Sequence, residues 1–136
     1  MLHIQQIDHI VLRVKDLQPM LDFYQNVLGC RLEREQRDIG LYQLRAGSGL
    51  IDLVPVNQKL GRAGGAAPGR EGRNLDHLCL RVDPFDAEQI IAFLRSKGVT
   101  PGPVESRYGA EGEGPSIYIS DPEANVVELK GPPWES

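Results

Sequence analysis

The sequence predicts an α+β fold made of two paired βαβββ modules. A duplicated strand motif, a duplicated carboxylate-bearing strand and an amphipathic helix in each half lead there. Residues 7–14 read Ile-Asp-His-Ile-Val-Leu-Arg-Val and residues 75–82 read Leu-Asp-His-Leu-Cys-Leu-Arg-Val. Asp, His, Leu, Arg and Val recur in place, and each remaining position holds an apolar residue or Cys79. Near the end of each half, Gly49-Leu50-Ile51-Asp52-Leu53 matches Asn125-Val126-Val127-Glu128-Leu129. Two matches in the same order make an internal repeat the better explanation than chance.

In the first half, residues 7–14 read as a strand with Ile10, Leu12 and Val14 on one face. Leu17, Leu21, Tyr24 and Leu28 recur at helical spacing, so a helix is expected over 17–28, with Asp16 as N-cap and Gly29 as the stop. Strands follow near 31–36, 41–46 and 50–54, separated at Gly40 and at Gly47-Ser48-Gly49. The second half repeats this order. A strand at 75–82 precedes a helix at 85–97 that buries Ile90, Ile91 and Leu94 and stops at Gly98. Strands near 103–107, 115–120 and 126–130 complete it, with a turn at Asp121–Asn125. The extra length of this half falls in the Gly-rich stretch Tyr108 to Pro115. Expected boundaries are module one at about 4–56, a Gly-rich and basic linker at 57–74, and module two at about 75–131, in a single domain over 1–136.

Composition narrows the function classes. With 40% hydrophobic and 25% charged residues in 136, the chain has the balance of a folded domain and not of a disordered one. Its net charge of -4 disfavours nucleic acid and anionic membranes as partners. No apolar run approaches a membrane span, and Met-Leu-His-Ile-Gln-Gln lacks the features of a secretory signal. Two cysteines, Cys30 and Cys79, form no disulfide framework and fit a cytoplasmic setting.

Strand alternation then selects four residues. His9 shares a face with Ile7, Val11 and Arg13, opposite the apolar set that should pack on the helix. His77, with Cys79 and Arg81, obeys the same rule. Asp52 and Glu128 lie opposite Ile51, Leu53, Val127 and Leu129. A carboxylate in the middle of an apolar strand is costly unless paired or bound to a cation. Two of them near two imidazoles point to one divalent metal held by His9, Asp52, His77 and Glu128. Nitrogen and oxygen donors suit Zn, Ni, Mn, Fe or Co without choosing among them. Taken singly, each residue has an ordinary structural explanation; the repeat relates them in pairs. Cys79 reads as a small buried hydrophobe. Arg13 and Arg81 suit either an anionic substrate or surface salt bridges. Tyr42, Tyr108 and Tyr118 are candidates to line a pocket, with segment 107–115 closing over it.

These residues resemble the vicinal oxygen chelate superfamily, which includes glyoxalase I, fosfomycin-resistance and extradiol dioxygenase proteins. The resemblance rests on Asp8-His9-Ile10-Val11-Leu12-Arg13-Val14, on Asp22-Phe23-Tyr24 through Val27-Leu28-Gly29-Cys30, on Leu75-Asp76-His77-Leu78, and on Ser120-Asp121-Pro122-Glu123-Ala124-Asn125-Val126-Val127-Glu128-Leu129. It implies paired modules forming a curved mixed sheet around a central metal site, with ligands at His9, His77 and Glu128. Glyoxalase I-like members carry Glu where this chain has Asp52, one methylene shorter. The implied activity is that of a lyase or isomerase acting on a small-molecule substrate with two vicinal oxygens, through an enediolate. Glu128 or Asp52 would carry the proton. An extradiol ring-cleaving dioxygenase needs only His9, His77 and Glu128, and a fosfomycin-modifying enzyme uses a similar triad. A non-catalytic drug-binding module is the reading from another class. The resemblance also implies a homodimer.

Overall fold

The structure is a computed structural model in which residues 1–135 are described. It divides into two compact units, the first from Met1 to Asn74 and the second from Leu75 onward. The first contains β1 (His9–Val14), α1 (Leu17–Asp22), β2 (Arg31–Gln36), β3 (Leu41–Ala46), β4 (Gly49–Pro55) and a short α2 (Lys59–Arg62). The second contains β5 (Leu78–Arg81), α3 (Ala87–Ser96), β6 (Glu105–Gly109), β7 (Gly112–Ser120) and β8 (Val126–Lys130). Each unit is βαβββ in order, as the repeat predicts. Each holds one four-stranded mixed sheet, ordered β1-β4-β3-β2 in the first and β5-β8-β7-β6 in the second. The first and last strands of a unit pair in parallel, and the remaining pairs are antiparallel.

The core of the first unit comes from the expected faces. Leu12, Val14, Leu44, Ile51 and Leu53 are buried, as are Met20, Leu21, Phe23 and Tyr24 of the helical segment. That segment is shorter as an α-helix than the spacing predicts. Beyond Asp22 it widens into a π-helix over Phe23–Val27, where the Leu28 amide donates to the Phe23 carbonyl. Gly29, at φ 73, then ends it in the left-handed region that an L side chain avoids. Asp16 takes the N-cap position without a side-chain capping bond.

In the second unit Asp86 caps α3 by accepting from the Gln89 amide, and Leu94 is the helix residue most fully buried. Ile90 and Ile91 are only half-buried. Ile117, Ile119, Val127 and Leu129 supply the sheet's share of the core. Asp121 organises the approach to β8: its Oδ1 accepts from the Glu123 and Asn125 amides, and its Oδ2 from Asn125 Nδ2. This closed turn starts β8 in the register that places Glu128.

Two segments expected as loops carry regular structure. In the stretch 107–115, Arg107 pairs with Gly114, Tyr108 with Glu113 and Gly109 with Gly112, so it forms the tip of the β6–β7 hairpin. Strand alternation continues into it, and a short turn at Ala110-Glu111 suffices to reverse the chain. The expected linker at 57–74 carries α2, seated on β4 by Gly61. Any side chain at Gly61 would run into the Pro55 carbonyl.

Candidate functional site

In the first unit, His9 opens β1 and Asp52 sits in the middle of β4. The register pairs Val11 with Asp52 and His9 with Leu50, so imidazole and carboxylate belong to the same sheet face. Gln43 of β3 stands opposite Asp52 on the other side. Its Nε2 donates to both carboxylate oxygens at 3.4 and 3.3 Å. Asp52 is buried, and burial pushes its carboxyl above the ordinary range while the Gln43 bond and the His9 charge pull it back. His9 Nδ1 lies 2.7 Å from Asp8 Oδ1. That hydrogen bond, followed by the charge of Asp52, raises the imidazole above its usual value.

The second unit repeats the Asp-His pair and the mid-strand carboxylate, with His77 one residue ahead of β5. Cys79 and Tyr118 flank Glu128 on β5 and β7, in the places of Val11 and Gln43. Glu128 is buried, and its Oε1 lies 3.1 Å from His77 Nε2. His77 Nδ1 is 2.7 Å from Asp76 Oδ1. The Tyr118 ring meets the His77 ring edge to face at 5.5 Å, and the Arg107 guanidinium lies 4.1 Å from the Tyr118 centroid.

His77 stands between two carboxylates, Asp76 on Nδ1 and Glu128 on Nε2. Each can only accept when ionised, so the single proton of a neutral ring serves one of them. With that proton on Nδ1, Nε2 presents a lone pair toward a carboxylate oxygen that also has only lone pairs. Two acceptors at that separation need a cation between them, either a proton or a metal ion. The donor chemistry fits a divalent metal, and the outer carboxylate on Nδ1 is the usual companion of a metal-binding histidine. Within each unit the described residues gather one imidazole and one buried carboxylate. No group of three or more His, Cys, Asp or Glu with metal-holding geometry occurs among the described residues.

Several other expectations change. Cys79 is exposed and not a buried hydrophobe. Its thiol is pushed up to about 11, first by loss of water around the sulfur and then by the Glu128 carboxylate. Arg13 is occupied by the main chain: it donates to the carbonyls of Gly61, Gly65 and Ala66. Arg81 takes the salt-bridge alternative, pairing with Glu111, and also bonds the Val82 carbonyl. Tyr42 belongs to the core, since it pairs with Leu53 on the opposite face, and Tyr108 lies exposed at the hairpin. Tyr118 alone of the three tyrosines stands by a candidate ligand. Sequence reasoning gave no role to Asp8, Asp76 or Gln43. For the two aspartates the signal was present, because Asp-His is one of the repeated pairs.

The model of the Glyoxalase/Bleomycin resistance protein/Dioxygenase superfamily matches residues 6–129. The chain belongs to that superfamily. It is 29% identical over 133 residues to virulence protein STM3117 of Salmonella typhimurium, covering 93% of this chain and 83% of that protein. The crystal structure of the same protein superposes with a TM-score of 0.79 at 26% identity, covering 96% and 99% of the two chains. An integron cassette protein from the mobile metagenome of V. cholerae gives 0.77 at 25% identity, covering 96% and 98%. A lactoylglutathione lyase from Agrobacterium tumefaciens shares the fold, with a TM-score of 0.65 at 22% identity over 93% and 92%. No helix among the described residues is long and apolar enough to cross a membrane.

Proposed function

We propose that this superfamily member is a divalent-metal-dependent enzyme, a lyase or isomerase of the glyoxalase I kind that moves a proton between adjacent oxygen-bearing carbons. The observation that carries this reading is the His77 Nε2–Glu128 Oε1 approach of 3.1 Å with Asp76 fixed on the far nitrogen. His77 and Glu128, with His9 and Asp52, would hold the metal. When bound, the ion supplies Lewis acidity to two vicinal oxygens of a small substrate, which acidifies the neighbouring C–H.

The chain's own residues divide the remaining work. Asp8 and Asp76 orient the two imidazoles through their Nδ1 hydrogen bonds. Asp52 carries the proton in this reading. Burial pushes its carboxyl above the ordinary range, and the neutral amide of Gln43 holds it. Glu128, against His77 Nε2, takes the ligand role.

Metal analysis of the purified protein after loading with Ni²⁺, Zn²⁺ or Mn²⁺ tests the reading, with His77→Ala and Glu128→Ala alongside. Wild type should retain about one ion per chain and the variants far less. Equal, background-level metal in all three would sink it.

A further inference from the structure

The sheet face that carries His77 and Glu128 in the second unit continues across β7 and β6 to the guanidinium of Arg107. Opposite residues of paired strands share a face, so Glu128, Tyr118 and Ser116 lie with Glu105 and Arg107 on one side of the sheet. Arg107 is held in place by three hydrogen bonds. Its Nη1 donates to Ser116 Oγ at 2.7 Å and to the Ser116 carbonyl at 3.3 Å, and its Nη2 to Glu105 Oε2 at 2.9 Å. The guanidinium is stacked on Tyr118, which itself touches His77. A guanidinium has five N–H donors, so two remain, including the Nε–H, for which no acceptor occurs among the described residues. The Tyr118 hydroxyl likewise has no hydrogen-bond partner among them.

The first unit is built differently at this place. Gln43 occupies the place of Tyr118, so no ring braces a guanidinium there, and Arg13 spends its donors on the 61–66 carbonyls. Arg45, which shares the sheet face of His9 and Asp52, makes four hydrogen bonds, to Glu33 and to the Ser48 and Gly49 carbonyls. In the second unit the guanidinium of Arg107 is stacked on a ring that itself meets a candidate metal ligand, and it keeps two N–H groups. A preorganised guanidinium of this kind recognises a carboxylate, which offers two oxygens to adjacent N–H groups.

We propose that the substrate carries a carboxylate in addition to its two metal-chelating oxygens, and that Arg107, braced by Tyr118, receives it. This inference rests on the metal reading above. Two chelating probes of equal length separate the two claims. Butyrohydroxamic acid presents vicinal oxygens and an inert methyl end; succinomonohydroxamic acid replaces that methyl by a carboxylate. Binding of each to the Ni²⁺-loaded protein is measured by calorimetry for wild type, Arg107→Met and Arg107→Lys, with thermal melts to check folding. Wild type should bind the carboxylate probe about tenfold more tightly, the order expected of a charge-assisted hydrogen bond. Methionine should erase that preference and leave butyrohydroxamate binding unchanged, whereas lysine should keep part of it. Equal preference in wild type and Arg107→Met overturns the inference while the metal reading stands. Failure of wild type to bind either probe overturns both.

Discussion

Gln43 and Asp52 face one another across β3 and β4, with the amide Nε2 of Gln43 at 3.3 and 3.4 Å from the two carboxylate oxygens. Asp52 is only 3% exposed, so this amide is a principal partner for a charge that has left water. Replacing Gln43 with Leu keeps the bulk and removes the donor. The loss should destabilise the protein by about 1 kcal/mol, the ordinary contribution of one such hydrogen bond. Urea unfolding of Gln43→Leu against wild type checks it, and an unchanged midpoint would show that Asp52 draws its support elsewhere.

Asp8 and Asp76 are each 2.7 Å from the Nδ1 of the histidine that follows them. Both aspartates are largely exposed, so they contribute little to the core and their removal should leave the fold intact. Their role is to fix ring orientation and tautomer. Asp76→Ala should therefore weaken Ni²⁺ or Zn²⁺ binding by about 10-fold to 100-fold, the usual effect of losing an outer carboxylate. Asp8→Ala should act in the same direction through His9. Metal titration with a competing chelator reads the effect, and wild-type affinity in both variants would refute the assignment.

The repeat made the fold legible because period-two alternation and helical spacing are local properties of the chain. The strands expected at 31–36, 41–46 and 126–130 coincide with β2, β3 and β8. The buried carboxylates were legible for the same reason, since Asp52 and Glu128 interrupt apolar strands. What local pattern could not show was pairing across strands. Gln43 gains its meaning only from its register with Asp52, and Arg107 only from stacking on a residue of the neighbouring strand. Arg13 was misjudged for a related reason: its acceptors are main-chain carbonyls about fifty residues away, which side-chain identities do not announce. The π-helix at Phe23–Val27 was hidden because its residues keep the apolar spacing of an α-helix while their hydrogen bonds lengthen by one residue.

Glu33 on β2 and Arg45 on β3 form a two-point ion pair, with Nη2–Oε2 at 2.7 Å and Nε–Oε1 at 3.0 Å. The Arg45 hydrogen bond holds the Glu33 carboxyl below its ordinary value of 4.5. A carboxylate depressed on folding adds stability above its unfolded pKa and loses it as pH falls through the folded one. The stability difference between wild type and Glu33→Gln should thus be present at about pH 6 and vanish toward about pH 3. Both side chains are about one-third exposed, so the difference will be small and should shrink in high salt. A constant difference across that pH range would show that Glu33 acts through packing and not charge.

Arg13 fastens the segment after α2 to β1. Its Nε and Nη2 both donate to the Gly61 carbonyl, Nη2 also reaches Gly65, and Nη1 reaches Ala66. Asn74 closes the other end of the segment by bonding the Arg13 main chain in both directions, as a neighbouring strand would. The residues between are mostly exposed, so few apolar contacts would hold them once the guanidinium is gone. Arg13→Leu keeps the apolar stem and removes every donor. Amide hydrogen exchange over 61–66 should then accelerate at least tenfold, while β3 and β4 keep their protection. Arg13→Lys should recover little, because one ammonium cannot span three carbonyls that the fork of a guanidinium reaches together. Exchange unchanged in both variants would mean that the glycine-rich segment is held by its own main-chain turns.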